Sequence, residues 1–218
     1  MQEESAFADQ AAVRRAHLAL VLGEIRRPGA HSQAVLAART GLPKATVSSL
    51  VTELIERRLV RDRGLRREGA AGRTGKLLEL DGGSAAALGL EINANALAVR
   101  AVDLAGREVF HRRVGFDAVH ADAAHVVDEL AALAREAIAR LGRTGAELVG
   151  VGLAVPGLVD AATGTVRYAS NLPWQEVPIA EWLRLRLDLA DGAIVVDNGA
   201  NLSALAEFRD GTAHGTPH

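Results

Sequence analysis

Between Ser32 and Lys76 the chain carries a pattern that few folds accommodate. From Lys44 onward, Val47, Leu50, Val51, Leu54 and Ile55 fall at i, i+3, i+4, i+7 and i+8, which is one apolar stripe on a helix. Lys44, Thr46, Ser48, Ser49 and Thr52 lie off that stripe. Upstream, Val35, Leu36 and Ala38 mark a shorter helix over about residues 33–40, and Gly41 allows the sharp turn that two steeply crossing helices require. Downstream, Leu59-Val60-Arg61 opens a strand and Lys76-Leu-Leu-Glu-Leu80 closes one. The glycine- and arginine-rich stretch 64–75 between them is either a flexible wing tip or a linker. Two short helices, a tight turn and a basic hairpin make a winged helix-turn-helix over residues 1–80. Within it, 11–27 reads as a first helix with Val13, Ala16, Leu20 and Ile25 inward, stopped by Pro28-Gly29, and 1–10 as a loose arm.

Charge separates the two ends of the chain. Residues 1–80 hold 14 Lys+Arg against 9 Asp+Glu, and residues 81–218 hold 11 against 18, so a chain of net charge −2 is +5 at its head and −7 in its body. Arg61, Arg63, Arg66, Arg67, Arg73 and Lys76 crowd the wing. Phosphate neutralisation needs that distribution, and it favours double-stranded DNA as the partner over an ordinary solvated helical hairpin. The second helix then enters the major groove by its N-terminal turn, with Lys44, Thr46, Ser48, Ser49 and Thr52 near bases or phosphates. Arg63 and Arg73 belong to the wing, and Arg73, between the glycines of Gly72-Arg73-Thr74-Gly75, suits a narrow minor groove.

The bulk numbers exclude several classes. The chain has no apolar run long enough to span a bilayer and begins Met-Gln-Glu-Glu-Ser, so a cytoplasmic protein is expected. Zero cysteines rule out disulfides and thiolate metal sites within these residues. His31, His111, His120, His125 and His214 have no ligand spacing and read as solvated or locally hydrogen-bonded, so no metal and no cofactor is expected.

Beyond the boundary at Asp81-Gly-Gly-Ser84 the texture changes. Leu88-Gly-Leu-Glu-Ile92, Ala96-Leu-Ala-Val-Arg-Ala-Val102 and the alternating Glu108–Val114 run read as three strands. A helix over 123–141 follows, with Val126, Leu130, Leu133, Ala137 and Leu141 on one side. Then come a buried strand at 148–154, a loop with a short hairpin near Val166-Arg-Tyr168, a helix at 179–187, a strand at 193–196 and a helix at 200–208. The order β-β-β-α-β-α-β-α describes a mixed sheet of three antiparallel strands with two added by crossovers.

That order, with its loops, resembles the ROK family of repressors and sugar kinases, and specifically its winged-helix transcriptional regulators. The resemblance rests on Leu36-Ala-Ala-Arg-Thr-Gly-Leu42, Thr46-Val-Ser48, Glu53-Leu-Ile-Glu-Arg57 with Leu59-Val60, Leu88-Gly-Leu-Glu-Ile92, Val102-Asp-Leu-Ala-Gly106, Val155-Pro-Gly-Leu-Val-Asp160, Asn171-Leu-Pro-Trp174 and Asp197-Asn-Gly-Ala-Asn201, in that order and spacing. It implies an α+β chain: the winged head, then an α/β ribonuclease-H-like (actin-like ATPase) lobe over 85–211 and a tail over 212–218, with the family's second lobe missing or truncated. That lobe, with its Glu-x-Gly-His sugar motif and cysteine-rich zinc site, is expected beyond Gly211, so the chain reads as a fragment or as a half-cleft that binds sugar weakly or not at all.

The resemblance also allows kinase and regulator to be told apart. The kinases carry Asp-x-Gly-Gly-Thr after the first strand, whose glycines let backbone N–H groups approach ATP phosphates. Here the run is Glu91-Ile-Asn-Ala-Asn95, without either glycine. They also place a catalytic aspartate after the asparagine of an Asn-Asp motif, where this chain has Gly199 after Asn198. No catalytic residue is therefore expected, although an ATP-dependent, hexokinase-like sugar kinase is the alternative. The resemblance assigns Asn171 and Asn198 to sugar hydroxyls and Gly157 to a close backbone approach. Residue chemistry alone also allows Asn171 to cap a turn and Asn198 to cap the following helix, and the family match tips the reading toward the sugar. Pro43 replaces the usual serine cap of the recognition helix. The expected protein is a repressor of carbohydrate genes that binds a DNA operator as a homodimer and answers to a sugar effector.

Overall fold

The computed structural model describes residues 2–27, 29, 31–68 and 73–210, with side chains over 10–27, 29, 31–64 and 77–208. The chain divides into two compact units, Met1–Ser84 and Ala85–His218.

The first unit is a winged helix-turn-helix. Helix α1 spans Gln2–Arg26, α2 Gln33–Thr40 and α3 Lys44–Glu56, and the wing strands β1 (Val60–Glu68) and β2 (Arg73–Leu80) pair antiparallel. Ser32 starts α2 as an N-cap, its hydroxyl accepting from the Val35 amide. Gly41 ends it at φ +71°, its amide returning to the Ala37 carbonyl, so the chain reverses where only glycine is unstrained. Pro43 occupies the cap of α3 without a side-chain hydrogen bond. Val47, Leu50, Val51 and Leu54 of α3 close a core with Leu18, Val21, Ile25, Leu36, Val60 and Leu78. The Leu78 amide donates to the His31 carbonyl, fastening the wing to the α1–α2 corner.

Four expectations change here. Of the arm expected at 1–10, residues 2–10 are the start of α1, because its Gln, Glu and Ala residues are strong helix formers; residue 1 lies outside the described residues. The inward stripe of α1 is Leu18, Val21 and Ile25, whereas Val13 and Leu20 stand 51% and 44% exposed. This alanine-rich helix offers two stripes of the same spacing, and the one richer in large aliphatics buries more apolar area. Ile55 sits at the margin of the α3 stripe, 39% exposed. The stretch 64–75 is mostly strand: β1 continues to Glu68 and pairs with Arg73, and Gly64 takes φ +91° in the bulge between Asp62 and Leu65. Only 69–72 of that stretch lies outside the described residues.

The second unit is an α/β lobe. Strands β3 (Ala85–Asn93), β4 (Ala96–Asp103) and β5 (Glu108–Gly115) form an antiparallel meander. Helix α4 (Ala123–Gly142) then leads to β6 (Glu147–Val155), parallel to β3. After a second small sheet and helix α5 (Ile179–Leu187), β10 (Ile194–Asn198) joins parallel to β6, and α6 (Gly199–Asp210) ends the described chain. The sheet order is β10-β6-β3-β4-β5. Leu88, Leu90, Leu97, Val99 and Leu153 face Val126, Leu130, Ala137 and Leu141 of α4, all buried in one cluster. Asp122 caps α4 through the His125 amide at 3.0 Å. The small sheet, β7 (Leu158–Asp160), β8 (Thr165–Ala169) and β9 (Trp174–Val177), is larger than the expected hairpin near Val166. Strands of three to five residues are too short to show a period in the sequence.

Candidate functional sites: a recognition face and a cleft

On the head, burial divides α3 cleanly. Lys44, Ser48, Ser49 and Thr52 are exposed and Thr46 is half-buried, opposite the buried Val47–Leu54 stripe. Two of the hydroxyls are held by neighbours. Thr52 Oγ1 donates to the Ser48 carbonyl at 3.0 Å, and Ser49 Oγ accepts from Arg14 of α1 at 3.4 Å. Arg14 also donates to Glu53 at 2.8 Å, and Glu53 pairs with Arg57 one turn later. In the wing, Arg63 is exposed but shares Glu79 with Arg61, at 2.8 Å and 2.6 Å. Arg73 begins β2, and its side chain lies outside the described residues. The sequence reading missed Arg14, Glu53 and Glu79. The Glu53–Arg57 spacing of four was a visible signal, whereas the pairs across elements required the fold.

On the lobe, Gly157, Asn171 and Asn198 line one cleft of about 840 Å³, together with Glu91, Asn93 and Gly199. Strand ends position them: β6 delivers Gly157, β10 delivers Asn198, and the β8–β9 turn carries Asn171. Asn171 is exposed, and its amide has no hydrogen bond among the described residues. The Asn198 amide is used at both ends. Oδ1 accepts from the Ala200 amide at 2.8 Å, capping α6, and Nδ2 donates to the Gly157 carbonyl at 2.6 Å. Gly157 has φ +112°, and a Cβ there would stand 2.4 Å from the Tyr168 carbonyl oxygen. The close approach this glycine permits is therefore to the backbone of β8. Gly199 differs, since a Cβ there meets nothing nearer than the Val155 carbonyl at 3.9 Å.

At the other wall, Ala94 and Asn95 make the two-residue turn between β3 and β4, their carbonyls accepting from Ala118 and Phe116. Asn93 donates to Glu91, and Glu91 pairs loosely with Arg113 at 3.7 Å. Side chains on 93–95 occupy a turn that two glycines would leave as bare backbone. No group of three or more metal-binding side chains exists among the described residues, and no described helix is long and apolar enough to cross a membrane.

The chain is similar to known proteins over both units. A MarR family profile matches residues 19–69. A protein of Caldicellulosiruptor sp. (strain Rt8B.4), carried under the provisional name of xylose repressor, is 29% identical over 199 residues, covering 91% of this chain and 49% of that protein. The xylose repressor of Bacillus spizizenii (strain ATCC 23059 / NRRL B-14472 / W23) is 26% identical over 207 residues, covering 95% and 52%. The chain thus spans about half the length of the curated relatives it matches. A solved ROK family transcriptional regulator, described as a homolog of the E. coli MLC protein, superposes with a TM-score of 0.69 at 18% identity, covering 90% of this chain and 48% of that one, a likeness of fold. The ROK family profile matches residues 87–217, well over half of these 218 residues, and the chain belongs to the ROK family.

Proposed function

We propose that this chain is the DNA-binding and sugar-sensing part of a cytoplasmic transcriptional repressor of carbohydrate genes, and that it does not transfer phosphate. Residues 1–80 serve as the DNA-binding head, 85–211 as the first lobe of the sugar-binding domain and 212–218 as a tail. The observation that carries the reading is the uncovered face of α3, where Lys44, Ser48, Ser49 and Thr52 stand exposed beside a basic wing. A recognition helix presents such a face to a major groove, and a single one reads only a few base pairs, so the working form is a homodimer on a pseudo-palindromic operator.

Supporting the sensing role is the cleft, where Asn171 offers a free amide, Asn198 a positioned one and Gly157 a backbone kept open by its missing side chain. The relatives named xylose repressors make xylose the first sugar to test. A sugar acts here only through unequal affinity for two states of the protein. Against phosphoryl transfer stand Gly199, which accepts no proton, and the side chains of Asn93 and Ala94 at the turn where phosphate would need bare backbone.

The test is a titration of duplex DNA across rising salt. Affinity should fall steeply between about 50 and 200 mM salt, and Lys44→Ala or Arg73→Ala should weaken binding and flatten that slope. A salt-independent titration, or two variants that match the parent, would remove the DNA reading. Coupled ADP-release assays with xylose and a panel of hexoses should show no turnover.

A further inference from the structure

The exposed face of α3 is bordered by a side chain from another element. Arg14 of α1 grips Glu53 Oε2 with both Nε at 2.8 Å and Nη2 at 2.5 Å, and Nη2 also reaches Ser49 Oγ at 3.4 Å. Ser49 and Glu53 are one helical turn apart, so both lie on the flank that meets α1. Glu53 is also held by Arg57 at 2.5 Å, and its side chain is only 16% exposed. A carboxylate on a groove-facing helix repels phosphate, and two guanidinium groups cancel that repulsion with one positive charge to spare.

The pattern of hydroxyls on the same face is more specific. A hydroxyl has one hydrogen to give and two lone pairs to receive. On Ser49 an Arg14 N–H points at the oxygen, so the hydroxyl hydrogen is directed away from Arg14. On exposed Thr52 the hydrogen is already given to the Ser48 carbonyl at 3.0 Å, which leaves the oxygen only lone pairs to offer. Two exposed hydroxyls three residues apart are thereby polarised in opposite senses.

We propose that Arg14 is a positioning residue for sequence readout: it holds Ser49 as a hydrogen-bond donor toward a base edge, beside Thr52 held as an acceptor. The proposal rests on the DNA-binding reading and extends it to a chemical pattern. A Ser49 donor fits guanine N7 or O6, adenine N7 or thymine O4. Thr52 lone pairs fit the amino group of adenine or cytosine, and its methyl fits that of thymine.

The experiment is selection of duplexes from a random double-stranded pool by the unmodified chain, followed by competition with every single-base variant of the selected site. The same competitions are run with Ser49→Ala, Arg14→Lys, Arg14→Ala and the Arg14→Ala/Ser49→Ala double variant. Lysine at 14 keeps a charge for Glu53 but lacks the planar fork that serves two partners. Ser49→Ala and Arg14→Lys should flatten the preference at the same base pair by roughly fivefold, leave preferences elsewhere intact and melt as the parent does. The double variant should be no worse at that base pair than either single one. Arg14 variants that weaken all duplexes alike, or that leave the Ser49-dependent preference in place, would overturn the proposal and reduce Arg14 to a packing role. A parent chain that retains no duplex would instead overturn the DNA reading beneath it, so the two failures are distinct.

Discussion

The side-chain amide of Asn198 donates to the Gly157 carbonyl oxygen at 2.6 Å, tying the first residues of α6 to the loop that follows β6. The same side chain caps α6 by accepting from the Ala200 amide. Asn198 is thus part of the cleft's framework. Asn198→Ala should cost about 1–3 kcal/mol from the lost cap and the lost carbonyl partner. Asn198→Asp keeps the cap acceptor but sets a carboxylate against the Gly157 oxygen, so it should also lie below the parent. Urea midpoints of the sugar-free protein check this, and an unchanged midpoint for Asn198→Ala would show that the tether is idle.

Two glycines of the cleft should respond in opposite ways. Gly157→Ala forces a Cβ to within 2.4 Å of the Tyr168 carbonyl at a φ of +112°, and should destabilise by about 2–4 kcal/mol. Gly199 begins a helix with ordinary φ, and a Cβ there would make only ordinary van der Waals contacts, none nearer than 3.9 Å. Gly199→Ala should therefore be neutral to about 1 kcal/mol stabilising. Thermal melts of the two variants side by side decide it, and equal losses would contradict the geometry.

How far the sequence reached is visible in particular residues. The bounds of α2 and the start of α3 were legible because Gly41 and Pro43 punctuate them chemically. The buried face of α4 was legible because its 3.6-residue period runs over five turns without interruption. The inward face of α1 was not, since Val13, Ala16 and Leu20 repeat the spacing of Leu18, Val21 and Ile25, and packing against α2, α3 and β2 is what separates the two. The three cleft residues were named from motif likeness, and the structure brings them to one place. What the motif could not tell was that Gly157 serves β8 and that both ends of Asn198 are engaged. Arg14 and Glu79 were invisible for a simpler reason, as each acts on residues far away in the chain.

Arg167, on the middle strand of the small sheet, bridges Asp160 of β7 at 2.7 Å and Glu176 of β9 at 2.6 Å. The hydrogen bond from Arg167 holds the Asp160 carboxyl below its ordinary value of 3.8. A carboxylate depressed in the folded state contributes stability that is present above its unfolded value and lost as pH falls through the folded one. The acid limb of the stability curve should therefore lie below pH 3.8 for this group. Arg167→Gln should move the Asp160 titration, followed by carboxyl NMR, upward toward the ordinary value. A titration unchanged by the substitution would mean that the bridge does not persist in solution.

In the wing, Glu79 holds two arginines on one carboxylate, Arg61 at 2.6 Å and Arg63 at 2.8 Å. Both arginine side chains are more than half exposed, so the pairing contributes little to stability, about 1 kcal/mol at most. Its larger effect falls on charge, since it offsets half of the positive field that these two residues present. Glu79→Gln keeps the side-chain shape and removes the offset. If the wing lies against phosphates, the variant should bind duplex DNA of any sequence several-fold more tightly at low salt, with a salt slope steeper by about one. Base preference in the α3 positions should not change if, as proposed, the wing supplies charge and α3 supplies pattern. Anisotropy titrations at three salt concentrations measure both quantities, and a slope equal to the parent's would place Arg61 and Arg63 away from the DNA.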